Sequence, residues 1–453
     1  MRSILPKNLL RLAENCPVPL YAVGGSVRDF LAGLTPANGK RDFDICAPLP
    51  AERFVDIAQN CDFQVIAVYK NTGTVKLKDN QGAEYEFSSF RSDKYVRGVH
   101  TPVEILFTDD ILLDARRRDF TANAVYYHLQ KDEFVDPLQG IPAIREKRLT
   151  TVAPAQKVFG EDGLRLMRLA RQAAELGFTP DTDCLCGAKA NAALIADISP
   201  ERIFTELMAI LRADCRFGVK DGQYRGLCLL DETGVLDYIL PELTQGRGMA
   251  QRADFHNYDV LQHSLRAAIY AEPSVRLAAL LHDVGKPFCM LEQGNSHAHH
   301  TEGERLVKQI LTRLKAPNKT IERTAALVAW HMYDFDGKTR ENKLRRFFVK
   351  NYALLAELLA LKQADFSACK DELTPAPTCV KWKSLLAKMQ DERVPFSLKQ
   401  LAVSGKDLLA LGLPAQKLSL ILEQLLMHVA VQPADNTKSR LLKLALSFSK
   451  NLQ

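Results

Sequence analysis

The hydrophobic pattern of this chain changes near Gly160, and that change constrains the fold more than any other feature. Before it, residues 18–150 contain short β-branched or aromatic runs, such as FQVIAVY and GTVKLKD, separated by turn residues and one helical stretch, AERFVDIAQN. This texture is typical of a mixed α/β domain. After it, segments such as EDGLRLMRLARQAAELGF, GERLVKQILTRL and YALLAELLALKQADF carry apolar residues three and four apart, as amphipathic helices do. The sequence therefore predicts an α/β head with a mixed sheet, followed by an all-α region.

Length, charge and cysteine usage limit the class of protein. The 453 residues, 47% of them hydrophobic, are enough for about three domains of ordinary size. Sixty Lys and Arg residues against 54 Asp and Glu leave a formal net charge of +6, which permits an anionic partner without requiring one. The 10 cysteines are scattered without a CxxC pair, which favours free thiols in the cytoplasm. No apolar run approaches 18 residues, so no membrane association is expected.

Two glycines and two aspartates mark a candidate phosphate and metal site near the N-terminus. Gly24 and Gly25 follow the run YAV at the start of a predicted helix, and Asp42 and Asp44 alternate in RDFDI. Alternate residues of a strand point to one face, so the two carboxylates are expected to converge. Carboxylate oxygens suit Mg²⁺, and backbone N–H groups at a helix start suit phosphates, with Arg28 one turn along. The alternative is a solvated strand edge beside an ordinary turn.

Two further segments add candidates to that site. Glu86, in AEYEFSSFR, shares a strand face with Glu84 and is either a third carboxylate or an ordinary exposed glutamate. Three consecutive arginines, the last of them Arg118, precede Asp119 in DARRRDF. Such a run beside a metal site suits phosphates, whereas on its own it is a charged surface.

The segment EDGLRLMRLAR predicts an element that reads the base. Its residues Asp162, Arg165, Arg168 and Arg171 recur every three positions, which predicts one stripe along a single helix. Cytosine and adenine present an amino donor beside a ring-nitrogen acceptor, whereas uracil and guanine present a carbonyl beside an N–H. A carboxylate with a guanidinium matches the first pair, so Asp162 and Arg165 could select CTP and ATP without a template. A surface ion pair is the alternative.

The ordered motifs GGSVRD, RDFDI, EFSSFR, RRDFTANA, EDGLRLMRLAR and SPERIFTEL resemble the class II tRNA nucleotidyltransferase and bacterial poly(A) polymerase family over about residues 18–240. The resemblance implies a palm-like nucleotidyltransferase head with helical neck, body and tail, and a two-metal mechanism. It implies that Asp42, Asp44 and Glu86 are catalytic, with Mg²⁺ held by the two aspartates. The nucleotide-contacting residues that it implies are Gly25, Arg28, Arg118, Asp162, Arg165, Arg168 and Arg171. It also implies that residues 92–108, which we interpret mostly as a long mobile loop, reshape the pocket for the final A.

Histidine and aspartate residues recur on successive predicted helices downstream. They are His263, His282, Asp283, His299 or His300, His331 and Asp365. Such groups on separate helices can enclose one or two divalent ions. The doublet HD in LAALLHDVGKP resembles the HD superfamily of metal-dependent phosphohydrolases over about residues 255–370. That resemblance implies a transition metal, Mn²⁺, Ni²⁺, Co²⁺ or Fe²⁺, on His263, His282, Asp283 and Asp365, with His299 and His331 as candidates for a second ion or phosphate.

Four parts are therefore predicted along the chain. They are a nucleotidyltransferase head (1–150), a helical neck and body with the recognition helix (151–245), an HD domain (255–370) and a helical tail (371–453). The polar segment QGRGMAQRAD, residues 245–254, is a plausible boundary. The basic run GKTRENKLRRFFVK, residues 337–350, is either a contact to RNA phosphates or a solvated helix face.

The predicted function is untemplated addition or repair of the 3′ CCA end of tRNA from CTP and ATP, in the cytoplasm, with an accessory HD phosphohydrolase. One alternative with the same chemistry is a poly(A) polymerase or an enzyme that adds only CC or only A. A more distant alternative is an HD phosphohydrolase whose head only binds RNA. No membrane partner is expected.

Overall fold

The computed structural model describes residues 1–95 and 102–450, and these form two compact units. The first contains Met1–Thr244 with Ile310–Ala316, and the second contains Gln245–Gln309 and the chain from Pro317 onward. The four-part division is finer than this and stays a prediction.

The head of the first unit is built on a mixed sheet, as predicted. Its strands are β1 (Tyr21–Val23), β2 (Phe43–Ala47), β3 (Gln64–Tyr69), β4 (Thr74–Lys78), β5 (Glu84–Ser89), β6 (Arg91–Lys94), β7 (Glu104–Phe107), β8 (Tyr126–His128) and β9 (Glu133–Val135). Seven of them form one sheet in the order β3-β4-β5-β2-β1-β8-β9. Only the β2–β5 pair is parallel; the other neighbours in this sheet are antiparallel.

One face of this sheet is covered by helix and the other carries the polar side chains. The head helices are α1 (Lys7–Glu14), α2 (Gly25–Leu31), α3 (Ala51–Asn60), α4 (Ile111–Arg116) and α5 (Gly140–Arg145). Phe54 of α3 stacks on Phe87 of β5 with ring centroids 3.6 Å apart. Ile45 and Val75, on the same face as Phe87, are fully buried. The opposite face, which carries the polar side chains, is therefore the one available to bind ligands.

The predicted loop over residues 92–108 is wrong at both of its ends, because each end is a β-strand. Strands β6 and β7 pair antiparallel, from Arg91 opposite Phe107 to Lys94 opposite Glu104. The ribbon leaves Leu106 and Phe107 more than half exposed, so it lacks the apolar alternation that marks a strand with one buried face. Residues 96–101, the middle of the predicted loop, lie outside the described residues.

The rest of the first unit is helical. It contains α6 (Ala155–Glu161), α7 (Leu164–Leu176), α8 (Thr182–Asn191), α9 (Pro200–Ile210), α10 (Ala213–Phe217), α11 (Gly222–Glu232), α12 (Leu236–Ile239) and α13 (Pro241–Thr244). Two short parallel strands, β10 (Arg148–Leu149) and β11 (Thr179–Pro180), also belong to it.

The described part of the second unit is all-α, as predicted. The helices from here on are α14 (Val260–Tyr270), α15 (Arg276–Leu281), α16 (Gly285–Gln293), α17 (His299–Arg313), α18 (Asn318–Trp330), α19 (Glu341–Lys350), α20 (Tyr352–Lys370), α21 (Pro377–Asp391), α22 (Gly405–Ala410), α23 (Leu418–Val429) and α24 (Lys438–Lys450). Short 3₁₀ helices lie along the chain at Arg2–Ile4, Lys70–Thr72, Thr121–Asn123, Ala192–Asp197, Leu398–Gln400, Ala415–Lys417 and Pro433–Asp435. Among all the described helices, none has both the length and the apolar character that a membrane span requires.

The basic run over 337–350 is only partly a free surface. Arg345 is buried and its guanidinium bonds Glu341 on its own helix and Glu392, with Nη1 2.5 Å from Glu392 Oε2. Arg345 is therefore excluded as a contact to RNA, because a buried guanidinium with two carboxylate partners is committed to packing.

Candidate functional site

The two aspartates of the RDFDI motif lie on the open face of the head sheet. Asp44 lies within β2 and is exposed, and Asp42, also exposed, directly precedes the strand. Phe43 and Ile45, which alternate with them, are buried. The two-residue period of the strand thus leaves both carboxylates accessible and both apolar side chains in the core.

Gly24 brings the backbone close to Asp44. Its neighbour Val23 is the register partner of Asp44 across β1 and β2. Gly24 has a φ of +77°, and a Cβ at this position would lie 3.1 Å from Asp44 Oδ2. Glycine accepts both the positive φ and the close approach, so the turn into α2 passes directly beside the carboxylate.

Glu86 continues the carboxylate row on the neighbouring strand. It is the register partner of Asp44 across the parallel β2–β5 pair, so the two side chains lie side by side on one face. Glu86 is half exposed, and its Oε2 lies 3.9 Å from Nζ of Lys76, its partner on β4. The structure therefore places the predicted third carboxylate next to Asp44.

A cavity of about 310 Å³ opens beside the aspartates and has the size of a small-ligand pocket. It is lined by Gly24, Gly25, Ser26, Arg28, Asp29, Pro36, Lys40, Arg41, Asp42, Asp44, Arg118, Asn123, Arg168, Arg171, Gln172, Glu175 and Arg216. Seven of these residues are cationic and four are carboxylates, so the lining suits a polyanion held beside a metal. Five of the seven predicted nucleotide-contacting residues belong to it; Asp162 and Arg165 do not.

The electrostatics of the cavity favour a cation at Asp44. Asp44 is accessible to solvent, but the protein atoms around it in the cleft partly desolvate it and raise its pKa to about 6. The charges of Glu86 and Asp42 act in the same direction, whereas Arg118 and Arg168 oppose them. A carboxylate whose negative form is disfavoured by neighbouring carboxylates is stabilised by a divalent ion bound between them. The donor set, all oxygen, fits Mg²⁺.

A buried polar network orients two of the arginines. The Nη1 of Arg28 donates to Asn123 Oδ1 at 2.8 Å and to Gln172 Oε1 at 3.2 Å. Asn123 and Gln172 donate in turn to Asp119, which also accepts from Nε of Arg168 at 2.8 Å. Burial opposes ionisation of Asp119, but Arg168 and Asn123 outweigh it and hold its pKa well below its ordinary value. Asp119 is therefore charged, and it fixes the guanidinium of Arg168 at the cavity wall.

Arg118 is held in a similar way. Its Nη2 donates to Asp114 Oδ2 at 3.0 Å and its Nε to the Tyr126 hydroxyl at 3.1 Å. Burial disfavours the charged form of Asp114, but Arg118, Arg117 and Tyr126 outweigh it and lower the pKa of Asp114 to about 2. Asp114 is fully buried, and its hydrogen bond holds the guanidinium of Arg118 in position.

The predicted single helical stripe from Asp162 to Arg171 is wrong, because the helix breaks. Helix α6 ends at Glu161, α7 begins at Leu164, and Asp162 between them is extended, with its Oδ1 accepting from the amide of Leu164 at 3.0 Å. At Gly163 a Cβ would lie 2.5 Å from the carbonyl oxygen of Leu194, so this close approach also requires glycine.

The guanidinium of Arg165 bonds two backbone carbonyls and one carboxylate around that break. It is buried, and it donates from Nη1 to Val158 O and Glu161 Oε2, both at 3.0 Å, and from Nη2 to Arg117 O at 2.9 Å. Its contact with a base remains a prediction.

The face of α7 that lines the cavity includes residues that sequence reasoning missed. Besides Arg168 and Arg171 it presents Gln172 and Glu175, which follow at the true helical spacing of three to four. Glu175 Oε2 accepts from Nη1 of Arg216 at 3.0 Å. The helical period after Arg168 is a signal for Gln172 and Glu175, whereas nothing local in the sequence marks Arg216.

A second cluster lies in the second unit, and Asp283 is at its centre. On one side, Nε2 of His282 lies 3.2 Å from Asp283 Oδ2 and 3.3 Å from Asp365 Oδ1. Nε2 of His263 lies 3.0 Å from that same Asp365 oxygen. On the other side, Nε2 of His299 lies 3.3 Å from Asp283 Oδ1. All of these residues were candidate ligands from the sequence.

His331 completes the second side, where its neighbour is His299 rather than His300. Its Nε2 lies 3.2 Å from Nε2 of His299 and 3.9 Å from Asp283 Oδ1. Lys286, which sequence reasoning did not select, places Nζ 2.6 Å from Asp283 Oδ2; its position three residues after Asp283 on the next helical turn is the available signal.

Three of the four histidines show the hydrogen bond that is typical of a metal ligand. The Nδ1 atoms of His282, His299 and His331 lie 2.6–2.7 Å from the carbonyl oxygens of Ala279, Ser296 and Val328, each three residues earlier. An Nδ1–H that donates to a carbonyl leaves Nε2 as the free lone pair. These lone pairs all face the centre of the cluster.

The donor set fits a transition metal. Ligand atoms around an octahedral ion with bonds of about 2.1 Å lie about 3.0 Å apart, which is close to the spacings above. Burial lowers the pKa of His331 well below its ordinary value, reinforced by His299 and His282, so this imidazole is neutral and able to bind a metal. At His282, burial is outweighed by Asp283 and Asp365, which raise its pKa to about 10. A metal ion bound at Nε2 of His282 would take the place of the proton that these two carboxylates attract.

Comparison with known proteins finds three matching family profiles. They are the Poly A polymerase head domain over residues 20–150, the "Probable RNA and SrmB- binding site of polymerase A" over residues 177–246, and the HD domain over residues 260–366.

Similar proteins match over most of the chain. The A-adding tRNA nucleotidyltransferase of Deinococcus radiodurans is 31% identical over 410 residues, 86% of this chain and 86% of that protein. The Multifunctional CCA protein of Xanthomonas campestris pv. campestris is 31% identical over 318 residues, 66% of this chain and 71% of that protein. The crystal structure of the Bacillus stearothermophilus CCA-adding enzyme in complex with CTP covers 99% of both chains, with a TM-score of 0.70 and 25% identity.

Proposed function

This chain belongs to the tRNA nucleotidyltransferase and poly(A) polymerase family, and on that premise we propose that it adds C and A to the 3′ end of tRNA from CTP and ATP. The family predicted from the six motifs is thereby confirmed, and so is the presence of an HD domain. The proposed partners are the tRNA 3′ end and the two nucleotides.

The observation that carries the proposal is the cavity with carboxylates at one end and arginines around it. Asp42 and Asp44 would hold Mg²⁺, which supplies charge neutralisation at the α-phosphate when bound. Arg28, Arg118 and Arg168 would bind the triphosphate, two of them oriented by buried carboxylates. The 3′ hydroxyl of the RNA attacks the α-phosphate, the bond to the β-phosphate breaks, and pyrophosphate leaves.

The open sheet face beyond Asp44 is where the RNA 3′ end would enter. In-line displacement requires the attacking hydroxyl opposite the leaving pyrophosphate. The arginines lie on the cavity side of Asp44, and Glu86 lies on its other side along the sheet. Glu86 would therefore face the hydroxyl and help to activate it.

The direct test uses tRNA lacking its last three, two or one nucleotides, incubated with each nucleoside triphosphate separately. A CCA-adding enzyme extends all three acceptors, using CTP for the first two additions and ATP for the third. Long tails of A would show a poly(A) polymerase, and failure to extend any acceptor would overturn the proposal.

A second candidate is addition of the terminal A alone. It is favoured by the Deinococcus radiodurans relative, an A-adding tRNA nucleotidyltransferase that matches over 86% of both chains. The same experiment separates the two, since an A-adding enzyme extends only tRNA that already ends in CC.

For the second unit we propose a metal-dependent phosphohydrolase centred on Asp283. The two groups of imidazoles on either side of this carboxylate would hold one or two of Mn²⁺, Ni²⁺, Co²⁺ or Fe²⁺. The cytoplasm is the proposed compartment, because all ten cysteines are free thiols and reducing conditions keep them so.

A further inference from the structure

The fourth histidine of the HD centre, His263, differs from the other three. Its Nε2 faces His282 and Asp365 in the HD centre, just as the Nε2 atoms of the other three histidines face that centre. Its Nδ1, however, is buried and has no hydrogen-bond partner, although the residue is fully enclosed. A buried polar atom without a partner destabilises the folded protein, so we expect this nitrogen to bind a ligand that protein atoms do not supply.

Two further potential metal ligands, His256 and Cys369, lie close to His263. The ring of His256 stands edge-on to it with centroids 4.9 Å apart, and Nδ1 of His256 is likewise buried without a partner. One ligand atom from each of His256, His263 and Cys369 lies within 4.8 Å of the other two. The backbone fixes this arrangement, because the amide of Asn257 donates to the carbonyl of Cys369 at 2.9 Å.

We propose that His256, Nδ1 of His263 and Cys369 form a zinc site beside the HD centre. Two imidazole nitrogens and a thiolate are a donor set that suits Zn²⁺, whereas the carboxylate-rich HD centre suits harder ions. Three protein ligands leave a fourth position for water or a phosphate oxygen. His263 joins the two sites, with one ring nitrogen on each.

Charge balance supports binding of a cation here. On binding, the Sγ–H bond of Cys369 and the Nδ1–H bond of the shared imidazole break, and both protons pass to solvent as the metal bonds form. Asp365 and Asp283, close by, supply negative charge that favours the ion. The neighbouring ammonium of Lys286 is already paired with Asp283 at 2.6 Å.

The test is metal binding by the full-length protein, stripped of metal and then loaded with Co²⁺ or Zn²⁺. With Co²⁺ the wild type should show a thiolate-to-metal charge-transfer band, and Cys369→Ser should lose it. Cys379→Ser is the matched control, because both cysteines lie in helices and the Sγ of each bonds a backbone carbonyl. The acceptor is Asp365 O at 3.4 Å for Cys369 and Leu359 O at 3.5 Å for Cys379. That control should keep the band.

Zinc content gives a second, independent measurement. Cys369→Ser should hold one equivalent of Zn²⁺ fewer than wild type, and His256→Gln should bind the ion at least about 10-fold more weakly. Each variant must retain the wild-type circular dichroism spectrum and unfolding temperature, which shows that the second unit, where His256 and Cys369 lie, has folded. A Cys369→Ser protein with the wild-type band and zinc content would overturn the proposal.

Discussion

Asp44 and Glu86 are register partners on the parallel strands β2 and β5, so two carboxylates from separate motifs lie side by side on one sheet face. The pairing continues to Lys76 on β4, whose Nζ lies 3.9 Å from Glu86. The cavity with its arginines lies on the other side of Asp44. Under the proposed function, this row would place the nucleotide first, then the metal carboxylates and then the acceptor RNA.

Replacing either metal aspartate should abolish nucleotide addition. We expect Asp42→Ala and Asp44→Ala each to lower incorporation by at least about 100-fold, because each removes an oxygen ligand at the reacting phosphate. Hydrolysis by the HD unit should be unchanged. Glu52→Gln, an exposed carboxylate on α3, is the control and should behave as wild type. Near-normal incorporation by either aspartate variant would exclude this site.

Lys76 should contribute to binding of the acceptor RNA. It is half exposed on the same face as Glu86, and its ammonium can reach a backbone phosphate of the incoming strand. We expect Lys76→Gln to raise KM for tRNA several-fold with KM for CTP and ATP unchanged. The salt dependence of log(kcat/KM) should become shallower by about 0.7–0.9.

Lys70 provides a matched control for that experiment. Its ammonium lies 3.9 Å from Glu52 on α3, which covers the opposite face of the sheet, so Lys70→Gln should leave KM for tRNA unchanged. If Lys76→Gln instead lowers kcat and leaves KM for tRNA unchanged, Lys76 does not bind the RNA and affects the reaction only through its contact with Glu86.

Asp162 should control the choice of base. Asp162→Ala is expected to reduce selection of CTP and ATP over UTP and GTP by about 10- to 100-fold, because the acceptor for the exocyclic amino group is lost. Competition between nucleotides in one reaction measures this ratio. Asp181→Ala also removes an aspartate that caps a helix, through the amide of Cys184, and should leave selection intact. Equal losses for all four nucleotides would make Asp162 a structural cap only.

The HD centre should be separable from nucleotide addition. His282→Ala combined with Asp283→Ala removes ligands from both sides of the cluster, so metal-dependent hydrolysis of a 2′,3′-cyclic nucleotide should fall at least about 100-fold. Incorporation of CTP and ATP should not change. His428→Gln, which loses only an ion pair to Asp435, should retain hydrolysis. A wild type that binds no transition metal and shows no turnover with any would refute the proposed hydrolase.

Stability in acid should depend on Asp114. Its pKa in the folded protein is about 2, below the ordinary 3.8, so its contribution is present above about pH 4 and is lost as pH falls towards 2. The contribution is about 2–3 kcal/mol. Urea unfolding should therefore show wild type losing that much more stability than Asp114→Asn between these pH values. Parallel pH profiles for the two proteins would show that Asp114 is not ion-paired.

Local patterns in the sequence determined which residues are candidates for the chemistry. The alternation in RDFDI predicts which side chains are buried and which are exposed, because the strand period acts within two residues. In the same way, the helical period predicts an all-α second unit, and the HD doublet identifies His282 and Asp283. Hydrophobic periodicity and secondary-structure propensity depend on residues only a few positions apart, so both can be recognised in the sequence alone.

Tertiary structure alone decided how distant segments meet. The sequence contains no sign that β2 and β5 are parallel neighbours, that Asp283 separates two pairs of imidazoles, or that Arg216 reaches the cavity. The helix break at Asp162 also escaped prediction, since it depends on Gly163 packing against the backbone of Leu194. Contacts between segments far apart in the chain arise from packing of whole faces, and no short-range pattern specifies them.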